Sequence, residues 1–203
     1  IRGQRHRTDR MFDAGFYDGR PHPADPELRL NDMILDGVDG EILYGITGTG
    51  ARLKDHDVIT TVYRIYNDWV ADFCQTYPGR WYGLACIPIH DPILAAKEIT
   101  RCADLDMIRG ADLNASEVTH PIYTRDGHWD PLWQALDETR TSLSFHVGGG
   151  RIPVPLPPLS NVDANKIQNQ HAYKSVDSSL GQLRCIQFMI GLIMSGACDR
   201  FTN

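Results

Sequence analysis

The residue best placed to do chemistry is His146, in the run Ser142-Leu143-Ser144-Phe145-His146-Val147-Gly148-Gly149-Gly150. Side chains alternate along an extended segment, so His146 shares a face with Ser144 near the C-terminal end of a strand. A neutral imidazole there can ligate a divalent metal, and the triple glycine leaves room for a substrate to approach. The competing reading is a buried, hydrogen-bonded histidine at a strand end. His90 ends an earlier apolar run but abuts Asp91-Pro92, a helix cap, and is expected to be structural. His6, His22, His56, His120, His128 and His171 fall outside the apolar runs and are expected to be solvated.

Other chemistries find little support. Gly45-Ile46-Thr47-Gly48-Thr49-Gly50 follows a strand, but Ala51-Arg52-Leu53 comes next where a phosphate cradle needs Lys and Ser or Thr. A flexible loop is expected there. The sequence has no GxSxG elbow and no HExxH pair. Cys74, Cys86, Cys102, Cys185 and Cys198 form no CxxC pair, so they are expected to be reduced, mostly buried thiols in a cytoplasmic protein. Cys86 and Cys185 lie in largely apolar surroundings, so neither is expected to be a nucleophile.

The elements that position His146 follow from periodicity and punctuation. Asp25-Pro26, Asp91-Pro92 and Asp130-Pro131 each place a side-chain acceptor at a helix N-cap and proline in the first turn. These predict helices over 26–36, 92–105 and 131–139. Leu28, Met33 and Ile34 are expected to face inward on the first, with Gly37 ending it. A longer helix over 57–77 carries Ile59, Val62, Tyr66, Trp69 and Phe73 as its expected buried stripe. Strands are expected near 41–45, 82–88, 107–112 and 142–147. The run 82–89 is apolar nearly throughout, as a parallel strand covered on both faces requires. Four prolines within 151–160 predict a long surface loop to Ser175. A last helix over 178–195 is expected to bury Leu183, Ile186, Met189, Ile190 and Ile193. Strict alternation predicts a parallel α/β sheet, either open and doubly wound or an arc of a (β/α)8 barrel.

Composition narrows the class. The 203 residues are 42% hydrophobic and 23% charged, which suits a single globular domain over 1–203. The net charge of −6 argues against a nucleic-acid partner. No apolar run is long enough to span a membrane. The start, Ile1-Arg2-Gly3-Gln4-Arg5, has no apolar core behind its charges, so no signal peptide is expected. Without an initiator methionine, the chain is expected to be processed or to belong to a longer polypeptide.

Several blocks, in order along the chain, carry a family resemblance. Asp36-Gly37-Val38-Asp39-Gly40-Glu41-Ile42-Leu43-Tyr44 resembles the DGVDxxVLY segment of the amidohydrolase-related family. Tyr66-Asn67-Asp68-Trp69, Tyr77-Pro78-Gly79-Arg80 and Gly83-Leu84-Ala85 resemble its YNDW, YPxR and GLA blocks. Trp129-Asp130-Pro131-Leu132-Trp133 with Ser144-Phe145-His146-Val147-Gly148-Gly149 is similar to its DPLW and SFHVGG blocks, and Ser195 to Phe201 to its SGxxxRFP helix end.

The resemblance implies a (β/α)8 TIM barrel of which this chain supplies about strands two to five and their helices. It implies that His146 is a metal ligand for one divalent ion, zinc or alternatively manganese. It implies hydrolysis or non-oxidative decarboxylation of a small aromatic or unsaturated acid; separately, a homo-oligomer is expected. No His-x-His precedes the first helix, and neither a sixth strand nor the family's late aspartate is in the sequence. A truncated, non-catalytic binding module is therefore the alternative. An arc of a barrel also predicts a covering segment or partner over its open strands.

Overall fold

A computed structural model of the chain describes residues 22–49, 52–113, 118, 120–146, 175–176 and 184–203. Four β/α repeats dominate it. In chain order they are α1 (Pro26–Asp36), β1 (Glu41–Leu43), α2 (His56–Gln75), β2 (Trp81–Cys86), α3 (Pro92–Ala103), β3 (Ile108–Leu113), α4 (Asp130–Thr139), β4 (Ser142–Phe145), α5 (Arg184–Met194) and α6 (Ala197–Arg200).

Aspartate caps start three of the helices. The Asp25 carboxylate accepts from the N–H groups of Glu27 and Leu28, each at 3.1 Å, with Pro26 behind it. Asp91 does the same for Ile93 and Leu94 at 2.8 and 3.1 Å. Asp55, not singled out in the sequence, caps α2 through Asp57 and Val58. The expected cap at Asp130 is not formed. Gly127, at φ 82°, turns the chain early, and the Asp130 N–H donates back to the Gly127 carbonyl at 3.1 Å. Trp129 becomes the cap residue, and the Asp130 carboxylate pairs with Arg200 at 2.7 Å.

The strands lie in the order β1-β2-β3-β4, every pair parallel. The order never reverses, which excludes the doubly wound alternative and leaves the barrel arc. The register places Leu43 beside Gly83, Ala85 beside Ala111, and Asp112 beside Ser144, with a shift between Gly83 and Leu84. The central strands β2 and β3 are buried along most of their length. The outer strands β1 and β4 are partly open. The core has two main parts. One packs Val70, Phe73, Cys74 and Trp81 under α1 and α2. The other packs Ile87, Ile99, Leu113, Leu132 and Trp133 between β3, α3 and α4.

Three expected buried faces are rotated. On α1, Met33 is buried but Ile34 is 57% exposed. On α2, Ile59 and Phe73 are buried as expected, but the line between them runs through Tyr63, Asn67 and Val70, and Trp69 is 48% exposed. The cause is polar: Asn67 turns inward to bond the end of β2, and the helix follows it. On α5, Phe188 and Leu192 pack on the core, Phe188 stacking on Phe145 with ring centroids 6.3 Å apart. That contact turns Ile186, Met189, Ile190 and Ile193 outward, each exposed. Leu183 lies outside the described residues.

Candidate active site

Parallel strands point their C-terminal ends the same way, so the residues just past β1 to β4 share one mouth of the sheet. His146 is the first residue past β4. Its N–H donates to the Leu113 carbonyl at 3.4 Å, which continues the β3–β4 ladder. The side chain is half-buried, and its ring meets Tyr44 edge-on with centroids 5.8 Å apart. Tyr44 follows β1. Its hydroxyl accepts from the Ser144 hydroxyl at 3.0 Å, and its carbonyl accepts from the Tyr66 hydroxyl at 3.3 Å. His146, Ser144 and Tyr44 thus meet where β1 and β4 face one another. Gly148 to Gly150, and the 151–175 loop apart from Ser175, lie outside the described residues.

Asp112 lies on the same face. It is the register partner of Ser144, two residues before His146 along the shared face. The residue is 1% exposed, and neither carboxylate oxygen has a hydrogen-bond partner among the described residues. Burial pushes its carboxyl up to about 6, against the pull of the His146 imidazole and the Gly45 N–H. The Gly45 amide is near enough to favour the ionised form but is not in hydrogen-bonding geometry. The sequence reading passed over Asp112. In Ile108-Arg109-Gly110-Ala111-Asp112-Leu113 it is a single acid with no spacing to mark it, in a strand that is buried apart from Arg109.

The remaining sulfur and imidazole groups are placed as follows. Cys86 is buried beside Ile59 and Tyr63. The Cys185 thiol donates to the Phe145 carbonyl at 3.5 Å, and burial, then Asp112, pushes it above the usual thiol range. That shift disfavours the thiolate. His90 stacks on His56 with centroids 4.1 Å apart, and its Nδ1 is buried with no hydrogen-bond partner among the described residues. Burial, then His56, lowers its pKa.

The expectation of solvated histidines fails at His120 and His22, which are bonded to carboxylates. His120 bonds Asp126 at 2.8 Å and Thr124 at 3.1 Å, and stacks on His128 at 4.1 Å. His22 bonds Asp32 at 2.7 Å, so a nearby carboxylate holds it too. His6 and His171 lie outside the described residues. Thr47–Thr49 form one turn of 3-10 helix, where a flexible loop was expected.

His146 and Asp112 supply nitrogen and oxygen donors of the kind zinc and manganese accept. They fit part of a metal site only. Among the described residues, no group of three or more His, Cys, Asp or Glu side chains is arranged to hold an ion.

Comparison with known proteins gives consistent results. A family profile described as amidohydrolase matches residues 4–200. A gamma-resorcylate decarboxylase from a Polaromonas species is 26% identical over 71% of this chain and 47% of its own length. The 5-carboxyvanillate decarboxylase of Sphingomonas paucimobilis matches with a TM-score of 0.57 and 26% identity, over 85% of this chain and 48% of that one. The Novosphingobium aromaticivorans enzyme of the same name, complexed with manganese and a nitrobenzoic acid, matches at 0.54 and 28%, over 68% and 44%. The chain thus spans less than half the length of these relatives.

Proposed function

This chain belongs to the amidohydrolase family, and from that premise we propose that it is part of a metal-dependent enzyme that decarboxylates a small aromatic acid without oxidation. The observation that carries the proposal is His146 at the C-terminal end of β4, in a parallel sheet, beside the Tyr44–Ser144 hydroxyl pair. Active sites of barrel enzymes are built at that end of the strands. In this reading the four strands are strands two to five of the barrel, and His146 is a nitrogen ligand to one divalent metal. The manganese and the nitrobenzoic acid in the Novosphingobium relative favour manganese over zinc, and an aromatic carboxylate as substrate. A bound cation of this kind polarises a carboxylate or phenolate oxygen. The Tyr44 and Ser144 hydroxyls are placed to orient a polar group of the substrate beside His146.

The same reading includes a homo-oligomer, supported by the apolar side chains that α5 leaves exposed. It includes a cytoplasmic location, supported by five free cysteines. No helix among the described residues is long and apolar enough to cross a membrane, and the acidic balance favours no nucleic-acid partner.

The test uses the full natural polypeptide, stripped with a chelator and reloaded with manganese or zinc. It is offered a panel of hydroxybenzoic acids, and release of carbon dioxide is measured. Metal-dependent release from at least one acid is expected. Cleavage of an ester or amide with no release would turn the assignment to hydrolysis. Metal and acid binding without turnover of either kind would favour the non-catalytic module.

A further inference from the structure

Asp112 is a group that neither fold nor hydrogen bonding accounts for. Buried carboxylates are stabilised by a cation, by hydrogen-bond donors, or by a proton. Here both oxygens lack a donor among the described residues, although the residue is 1% exposed. If the group only filled space, a Leu, Val or Asn in this strand would do so at lower cost. Its surroundings point to a ligand. Asp112 lies opposite Ser144, on the face and at the end of the sheet where His146 lies. The Gly45 N–H lies on its β1 side, and the Cys185 thiol is close enough to feel its charge.

We infer that Asp112 is a second protein ligand, with His146, to a divalent cation at the mouth of the sheet. The inference rests on the reading of His146 given above and adds an anionic oxygen to its nitrogen. An imidazole with a carboxylate is a donor set suited to zinc or manganese. Binding a cation there relieves the unpaired charge. Asp112 therefore makes the metal-free protein less stable while making the loaded form possible.

That coupling gives a test with readouts other than turnover. The full natural polypeptide, freed of metal, is titrated with manganese chloride by calorimetry, as wild type, Asp112→Asn and His146→Ala. Melting temperatures are recorded with and without the ion. For Asp112→Asn, manganese binding should weaken by more than about tenfold, the smallest effect expected even of a group that only orients a ligand. The metal-free variant should melt no lower than wild type, and the rise caused by manganese should shrink.

Unchanged affinity in Asp112→Asn, with loss in His146→Ala, overturns this inference and leaves the His146 reading standing. Unchanged affinity in both overturns that reading as well. Loss in Asp112→Asn alone contradicts a shared site. If the asparagine variant does not fold, judged by circular dichroism, Asp112→Ser takes its place, with the same expected loss and the same contrary result.

Discussion

Asn67 and Cys86 hold each other by two hydrogen bonds. The Asn67 amide donates to the Cys86 carbonyl at 2.9 Å, and its Oδ1 accepts from the Cys86 N–H at 2.8 Å. This fastens the middle of α2 to the last residue of β2, just below the mouth of the sheet. The amide also reaches Glu98 on α3 at 2.7 Å, and Glu98 is gripped in turn by Arg101. One side chain thus ties a strand to two helices. Asn67→Leu fills the volume but leaves a buried N–H and a buried carbonyl without this partner. Each group that loses this bond costs about 1–3 kcal/mol, so a loss of about 2–6 kcal/mol is expected for the two. Urea unfolding of the variant measures it, and a loss below about 0.5 kcal/mol, the surface-substitution level, would contradict the bracket's role.

Gly110 makes the close approach of β3 and β4 possible. A methyl group there would lie 2.6 Å from the Ser142 hydroxyl oxygen and 2.9 Å from both the Ser142 carbonyl oxygen and a Leu84 methyl. The backbone oxygen cannot swing aside, so Gly110→Ala must part the strands. Overpacking of this kind costs about 1–3 kcal/mol. A drop in urea midpoint is expected, with the Tyr44–Ser144 contact disturbed. Wild-type stability in this variant would show that the strands separate freely here.

His90 predicts a dependence of stability on pH. Burial, then the His56 ring stacked on it, lowers its pKa below the usual histidine value of 6.5. A histidine with a depressed folded-state pKa binds protons more readily when unfolded. Its contribution is therefore full above pH 6.5 and is lost as pH falls toward the folded value. Asp91 and Asp57 partly offset the shift. NMR titration should place the His90 midpoint below that of an exposed histidine, and His56→Gln should move it upward. A midpoint at the ordinary value, unmoved by His56→Gln, would remove the stack from the account.

The strands were legible because buried parallel strands are written as apolar runs between capped helices, whereas their order was not, since alternation suits a doubly wound sheet as well as a barrel arc. Tyr82 to Ile89 stands out as such a run, and Ser142 to Val147 stands out instead by its alternation of polar and apolar residues, with His146 near its end. What periodicity could not supply was the side each helix buries. Apolar content alone put Trp69 and Ile193 inside, whereas Asn67 and Phe188 decide the rotation through partners far away in sequence. The Asp130 cap failed for a related reason. Gly127 had already used the Asp130 N–H in a turn, and Arg200, 70 residues on, claimed its carboxylate. Asp112 was missed because a single acid in a strand carries no spacing. Its meaning comes only from the register that sets it beside Ser144 and in line with His146.

The central claim is that His146 holds a metal, and metal content measures it most directly. The full natural polypeptide and His146→Ala are purified side by side in manganese-supplemented buffer and desalted, and bound metal is counted by mass spectrometry. Circular dichroism confirms that both are folded. The account predicts a bound divalent ion in the wild type and its loss from the variant. Equal metal in the two folded proteins would contradict it, and would return His146 to the role of a buried histidine at the end of a strand.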